Sequence, residues 1–580
     1  MQDILKVGRS DSIYNGHSYL TKVPVMAIVP FIEEYTTPGD TVIDIFAGSG
    51  MTAVAAKMTG RNAIVSDISK LGRHIGTGYL SNVTPDELFQ ESQRIFQDSK
   101  SSVGHVYHTI RESDQERLSF GKTIWSFVYE CTQCQSELNY YRLLEANSWD
   151  AKKLACPHCQ QDFVKKDATF LRHEPVVVSL AGEKGKQIEQ QLSDFDFNKI
   201  ADAEQSDVFD YFPNVDIPED REMYKRSALR KWDLTSTNKF FSHRNAIVLY
   251  DLWQRFEAVE NEQLKQKLKF AFTAILPRAS KRYQWSKKAP LNAAIQNYYI
   301  APVFYEWNVY DLIERKVNAL IKADKQITDY LGDDETDAHQ TYVTASADNL
   351  EHLDDNSVEL VFTDPPFGSN IFYADMNLFH EAWLGEYTDQ TVEAVMRTTG
   401  KTKVESKENY QRILTGAFQE ARRVLKKGGH LSIVFGNSQG SIWSVVQQAI
   451  RDAGFTNKPV NITILDKGQR SVKGLNSGSE KVVTLDLIVT VKKQDDELPP
   501  QDIELNTDTH QLIEDTINRI KLNEDLTASH IYLDVLRNAM FNNVCIANID
   551  LGDIVEIINE HGYIIDKDSG KLKKKVEEKE

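Results

Sequence analysis

The sequence predicts an α/β protein whose doubly wound sheet is interrupted by a long insertion, and three observations carry that reading. Residues Val42 to Ser66 read as strand, tight glycine turn, helix and strand. Short apolar strands resume only after about residue 340. Between the two stretches lie four cysteines in two Cys-x-x-Cys pairs, a pattern foreign to such a sheet.

In chain order, TVIDIF is a buried-strand pattern, Gly48-Ser49-Gly50 supplies the turn, and MTAVAAKM is a small-residue helix closed by Gly60. NAIVSD gives a second strand ending in Asp67. Two parallel strands joined by a helix begin a doubly wound sheet. From about Glu112 to Glu335 come the cysteine pairs, acidic loops and helical stretches such as Asn245 to Lys269, an insertion of roughly 220 residues. Strands return at TYVTAS (341–346), VELVFTD (358–364) and HLSIVFGN (430–437). The last two flank an amphipathic helix with Ile413, Leu414, Ala417, Phe418, Ala421 and Leu425 on one face, stopped by Gly428-Gly429. VNITILD (460–466) and VVTLDLIVTVKK (482–493) close the series, the latter long enough for a β-hairpin pair. QDDELPPQDIE (494–504) reads as an acidic linker, 508–560 as helical, and KLKKKVEEKE as a frayed charged tail. The expected division is 1–111 and 336–495 for the two parts of the core, 112–175 for a cysteine ribbon, 176–335 for a helical, basic insert suited to target recognition, and 505–580 for a C-terminal helical region.

At 580 residues the chain is too long for one core. MQDILKVGRS has no apolar signal-peptide core, and the greasiest run, Val23 to Ile32, is half a membrane span, so a cytoplasmic protein without membrane contact is expected. The net charge of −18 argues mildly against a polyanionic partner. Locally, residues 262–288 carry Lys265, Lys267, Lys269, Arg278, Lys281, Arg282, Lys287 and Lys288 against one acid, with Tyr283 and Trp285 interleaved. A solvated helix face and a nucleic-acid contact both fit that pattern.

Two motifs carry chemistry. In DIFAGSGMT (44–52), Gly48 and Gly50 let backbone approach a ligand at a helix N-terminus. A third glycine in dinucleotide register is missing, as is the Gly-Lys-Ser/Thr of a triphosphate loop. Asp67, 19 residues after Gly48, is placed to take the two ribose hydroxyls of an adenosine. The second motif is Asp364-Pro365-Pro366-Phe367 after a buried strand. Two prolines hold the chain extended. The Asp364 carboxylate and the Pro365 carbonyl could then accept both hydrogens of an amino group, while Phe367 offers a face for a base.

Together the motifs resemble the cofactor and catalytic motifs of DNA amino-methyltransferases, the N6-adenine and N4-cytosine group. The resemblance implies a Rossmann-like S-adenosylmethionine-dependent methyltransferase sheet. It implies a cofactor site of Lys22, Asp44, Phe46, Gly48, Gly50, Thr52 and Asp67, with Lys22 near the methionine end and Asp348 holding the cofactor's adenine ring. Asp364, Pro365, Pro366 and Phe367 would be catalytic, and an Asp at 364 leans toward adenine. The likeness covers roughly residues 15–80 and 340–495 and has Ile45 where the family often has proline. Here the insert precedes the Asp348 strand, whereas the family class with this motif order places it after. FYADMNLFHEAWL (372–384) and NYYIAPVFYEWNVYDLI (297–313) also resemble segments of long methylase-like proteins found near restriction or phage-defence genes, which implies double-stranded DNA as substrate and a partner protein from such a system. An RNA base amino-methyltransferase and a non-catalytic DNA-recognition subunit keeping the fold are the alternatives.

Cys131-x-x-Cys134 and Cys156-x-x-Cys159, separated by 21 residues, form two knuckles that complete a tetrahedral zinc site with no open position, hence a structural one. His158 is expected to be a bystander, and Cys545 a small buried apolar residue.

Overall fold

The computed structural model describes residues 3–181, 187–287, 298–332, 337–368, 371–396, 403–455, 458–468, 485–494, 503–504, 508–566 and 570–575. An eight-stranded mixed sheet is built from β1 (Ile4–Lys6), β2 (Thr41–Asp44), β3 (Asn62–Asp67), β4 (Gln340–Thr344), β5 (Val358–Thr363), β6 (Leu425–Phe435), β7 (Asn461–Asp466) and β8 (Asp486–Lys492). Its spatial order is β1-β7-β8-β6-β5-β2-β3-β4. All pairs are parallel except those of β8, which runs antiparallel to both β6 and β7.

From β2 the chain moves outward through β3 to β4, and from β5 outward through β6. The direction of winding therefore reverses between β2 and β5. At such a switch point the helices leave the two strand ends on opposite faces, opening a crevice at their carboxyl ends. β2 ends in Asp44 and β5 runs directly into Asp364. Both predicted motifs thus arrive at one crevice.

The expected Rossmann-like α/β sheet is present, and its elements follow from local pattern. The TVID strand is buried from Val42 onward. Gly50 takes a φ of 77° as N-cap of helix Met51–Met58, and its Cα face lies against Gly76, where an added Cβ would sit 3.0 Å from the Gly76 Cα. Small residues on both helices let the backbones approach that closely. Two expectations need correction. VVTLDLIVTVKK does not form a hairpin of its own: Asp486–Lys492 is one strand, wedged between β6 and β7, while 482–484 lie outside the described residues. The tail is not simply frayed: Leu572–Lys574 pairs antiparallel with Tyr563–Ile565 and buries Leu572 completely, because that side chain completes the apolar cluster under the C-terminal helices. Residues 576–580, and most of the linker 494–504, lie outside the described residues.

The insertion carries a sheet of its own that alternation did not reveal. Strands Lys122–Glu130, Glu137–Asn139, Thr169–Ala181, Gln187–Gln190 and Val303–Trp307 form it, all antiparallel. Lys122–Glu130 is buried at nearly every position, so it lacks the two-residue period of a half-exposed strand. The basic stretch is mostly structural. Lys267 is fully buried, with Nζ 2.6 Å from Asp324 and 3.1 Å from the Gly78 carbonyl. Lys281 donates to the Lys239 carbonyl, and Arg282 is buried over the Phe379 ring at 4.2 Å. Helix Glu262–Ala279 thereby braces helix Lys70–Leu80 against helix Val309–Leu331. Arg278 and Lys287 remain exposed; Lys288 lies outside the described residues.

In the insert's core, Glu306 accepts from Trp125 Nε1 (2.8 Å), Ser242 Oγ (2.6 Å) and Arg244, with which it pairs through two nitrogens. Burial alone would raise the Glu306 carboxyl, yet Arg244 and these donors hold it below its ordinary value. Removing one partner strands a buried charge, at a cost of about 3–5 kcal/mol. Glu306→Ala should lower the stability measured by urea unfolding by that amount; a loss below about 1 kcal/mol would show that the pair is not a keystone of the insert.

Candidate cofactor and catalytic cleft

The crevice at the β2/β5 switch point is a cavity of about 920 Å³ including its open mouth. Its walls are the glycine loop, the segment Tyr19–Val23, the end of β3, the residues after β4 and β5, and the stretch 388–394.

Asp44 is the knot of the loop. Its Oδ1 accepts from Thr363 Oγ1 (2.8 Å) and the Phe46 amide (3.1 Å), and its Oδ2 from Thr52 Oγ1 (2.6 Å). One carboxylate thus joins the end of β2, the end of β5 and the first turn of the following helix. Burial pushes its pKa up to about 7, against the pull of those three donors. Asp67 ties the same loop from the other side: Gly48 N donates to its Oδ2 (2.8 Å) and Ser69 N to its Oδ1 (2.9 Å). Tyr342 on β4 donates to the Gly48 carbonyl at 2.7 Å. Gly48 needs to be glycine, since its φ is 47° and a Cβ there would meet the Tyr19 ring at 2.9 Å.

Helix Tyr373–Leu384 roofs this side of the cleft. Asn377 donates to Ser69 Oγ at 3.0 Å, and Glu381 accepts from the Leu71 amide at 3.2 Å. Tyr373 shares a 2.7 Å hydrogen bond with Thr21 and stacks at 6.1 Å on Tyr19. The roof is fastened to the insert by Arg221, 3.0 Å from Asp375, and by Tyr298, which donates to the Asp375 carbonyl. Glu393 also lines the cavity; burial lifts its carboxyl to about 7.

The Asp364 segment is clamped from below. Tyr410 donates to the Pro366 carbonyl at 2.5 Å and Asn437 Nδ2 to the Phe367 carbonyl at 2.9 Å; Trp443 holds Asn437 through its own carbonyl at 2.9 Å. Among the described residues no donor reaches the Pro365 carbonyl or Asp364 Oδ1, and the latter is buried. Burial raises the Asp364 carboxyl well above the usual range; Lys467 pulls it back, while Asp486 and Asp44 push it further up.

Of the residues anticipated from sequence, Lys22, Asp44, Phe46, Gly48, Thr52, Asp67, Asp364 and Pro366 line one cavity. Gly50 stands behind the loop as helix cap, and Pro365 is buried beneath the segment. Phe367 is half-buried and packs edge-on against Phe435 at 5.1 Å, outside the lining. Lys22 turns its ammonium to the His17 carbonyl (2.7 Å) over the Tyr14 ring; burial lowers its pKa to about 7. Asp348 stands beside the cavity: its carboxylate accepts from Ser346 Oγ (2.5 Å) and pairs with Arg412 (3.1 Å) on helix Lys403–Val424, whose Gly416 packs against it. Ser346 and Ala347 reach the cavity instead. Tyr19, Thr363, Tyr410 and Asn437 were not anticipated; Thr363 and Asn437 sit beside strand ends, whereas Tyr410 comes from within helix Lys403–Val424.

The four cysteines converge. Cys131 and Cys159 Sγ are 3.7 Å apart, Cys134 and Cys156 Sγ 3.6 Å, and all four lie within 4.8 Å of one another. Each pair sits on a matching turn, with Gln135 N donating to the Cys131 carbonyl (3.0 Å) and Gln160 N to that of Cys156 (2.9 Å). A tetrahedron with metal–sulfur bonds of about 2.3 Å has edges of about 3.8 Å, so the thiols fit a zinc ion.

The description DNA methylase belongs to the family model that matches residues 3–73 and 358–529, which hold every strand of the eight-stranded sheet except β4 and leave out the insertion. The sheet domain matches the DNA methylase family. Among curated proteins, "Putative methylase YubD" of Escherichia coli (strain K12) is 46% identical over 52 residues, 9% of this chain and 23% of that relative, so the matched segment spans less than a quarter of its length. Among solved structures, a "Putative DNA Modification Methylase" of Thermus thermophilus, complexed with S-adenosyl-L-methionine, is 16% identical over 34% of this chain and 72% of its own, with a TM-score of 0.18. A SAM-dependent methyltransferase of Methanosarcina mazei is 10% identical over 30% and 77%, with a TM-score of 0.16. Scores that low carry no weight; the fold rests on the sheet itself. No described helix is long and apolar enough to cross a membrane.

Asp44 binds a proton in the folded state at pH values where the unfolded chain has lost it, so its contribution to stability falls as pH rises from about 4 to 7. Asp44→Asn should flatten this part of the wild-type profile of melting temperature against pH. Parallel profiles would show that Asp44 is ionised throughout.

Proposed function

We propose that the chain transfers a methyl group from S-adenosylmethionine to the N6 amino group of adenine in double-stranded DNA, acting in the cytoplasm. The observation that carries the reading is the clamped Asp364 segment at one end of a cleft whose other end is the Asp44–Gly48–Asp67 loop. When bound, S-adenosylmethionine supplies a methyl group already activated by its sulfonium charge. The chain's own task is positioning and exclusion of water.

Asp67, whose oxygens each hold one backbone amide, keeps lone pairs for the ribose hydroxyls. Gly48 and Gly50 bring backbone and a helix N-terminus to the ligand, while Asp44 and Thr52 keep the loop in shape. The Asp364 carboxylate and the Pro365 carbonyl, to which no donor is bound among the described residues, take the two hydrogens of the amino group. This turns the nitrogen lone pair out of conjugation toward the methyl group; the amino nitrogen bonds the methyl carbon as that carbon's bond to sulfur breaks, and the extra proton passes to the Asp364 carboxylate. An amino group inside a duplex is out of reach, so the base is flipped, with Phe367 and Tyr373 as stacking surfaces. A role in restriction-modification or phage defence, with a partner protein, and a recognition function for residues 176–335 complete the proposal. The cysteine cluster holds a structural zinc ion.

Purified protein, tritiated S-adenosylmethionine, and duplex DNA and total RNA from a host lacking the gene test the reaction. Label in DNA, found as N6-methyladenine and reduced at least ~100-fold by Asp364→Ala, is the expected result; label confined to RNA or to cytosine would overturn it. Elemental analysis should find one zinc per chain, lost in Cys156→Ser together with thermal stability. A metal-free protein that melts like the variant would refute the zinc assignment.

A further inference from the structure

One charged pair at the cleft has no place in the mechanism above. Lys467, immediately after β7, lies 2.5 Å from Asp486 at the start of β8, and the two side chains are 12% and 9% exposed. Because β8 is antiparallel, its first residue stands at the same edge of the sheet as the carboxyl ends of β5, β6 and β7. The register is explicit: Leu465 pairs with Asp486, Phe435 with Leu487, and Ile433 with Thr363. Asp486 therefore stands level with Gly436, and Asp364 follows Thr363 on the next strand, level with Val434 at the same edge of the sheet.

Gly436 explains how charge crosses β6. A Cβ at this position would sit 2.2 Å from Asp486 Oδ1, so the carboxylate occupies the volume a side chain would fill. The Lys467–Asp486 pair thereby extends over β6 toward β5, where Asp364 Oδ1 is buried with no hydrogen-bond partner among the described residues. Among the described residues, the charged and titratable groups facing Asp364 are Lys467, Asp486, Asp44 and Tyr373; Tyr14 faces Lys467. Lys467 alone among them is a cation. Burial would strip its proton, yet Asp486 and Asp364 hold its pKa above the ordinary value.

We propose that Lys467, seated against Asp486, is a positioning residue that orients the Asp364 carboxyl group toward the target amino group. The inference rests on Asp364 being the acceptor in the proposed reaction. Burial and the neighbouring acids favour the protonated carboxyl, a donor where an acceptor is needed, and Lys467 opposes them. Asp486 is the lever arm: it gives the lysine a fixed seat without consuming all three of its protons.

The titration of Asp364 can be read without activity, by infrared spectroscopy of protein carrying ¹³C in its aspartate carboxyl groups, with Asp364→Asn to assign the band. Lys467→Met should raise the midpoint by at least about one pH unit, a roughly tenfold gain in proton affinity, and Lys467→Arg should restore it. A midpoint unmoved in Lys467→Met and in Lys467→Gln would overturn the proposal, leaving the lysine as a structural ion pair. In single-turnover transfer assays the acid limb of the rate profile should move with the midpoint. Wild-type protein that transfers no methyl group would defeat the proposed reaction, while the infrared midpoint would still decide the Lys467 relation.

Discussion

The hydrogen bond from Thr363 to Asp44 joins two residues 319 positions apart, and the cleft depends on it. β2 and β5 are neighbours in the sheet although the whole insertion lies between them in sequence. Closing so long a loop costs entropy that a single hydrogen bond cannot repay. The parallel β2–β5 pairing and the apolar packing on both faces of the sheet carry that cost. The Asp44 carboxylate then sets the last detail: where the ends of the two strands stand relative to the glycine loop. A site assembled on rigid strand ends holds its groups more closely than one assembled on loops alone.

The insertion does more than hang from the sheet. Lys267, Thr273 and Gln266 reach helix Lys70–Leu80, which starts beside Asp67, while Arg221 and Tyr298 hold helix Tyr373–Leu384 over the cleft. A displacement in the insert would be felt at both walls. This gives a physical route by which whatever binds the insert could alter the cleft, and it explains why several of its cations point inward rather than to solvent.

Much of the sheet was legible because its signals are local: TVID, NAIVSD and VELVFT are short apolar runs bounded by turns, and the Gly48–Gly50 loop has one compatible geometry. The β8 hairpin was misread because a strand flanked on both sides is apolar throughout, and length alone cannot separate one central strand from two edge strands. The insert's sheet was missed for the same reason. The pairing of Asp348 with Arg412, on a helix over sixty residues away, leaves no trace in the local pattern. Likewise the acceptors left free at Asp364 and Pro365 are visible only once Tyr410 and Asn437 are seen to occupy the neighbouring carbonyls. The basic stretch illustrates the limit of charge counting, since Lys267 and Arg282 found partners inside the protein.

The central claim is that one cleft contains separable parts, a cofactor loop held by Asp67 and an acceptor site at Asp364. Titration calorimetry of S-adenosylmethionine into the wild-type chain and into Asp67→Ala and Asp364→Ala tests it most directly. The account predicts one site per chain, weakened at least tenfold by Asp67→Ala and retained by Asp364→Ala. No binding to the wild type, or equal loss in both variants, would contradict it.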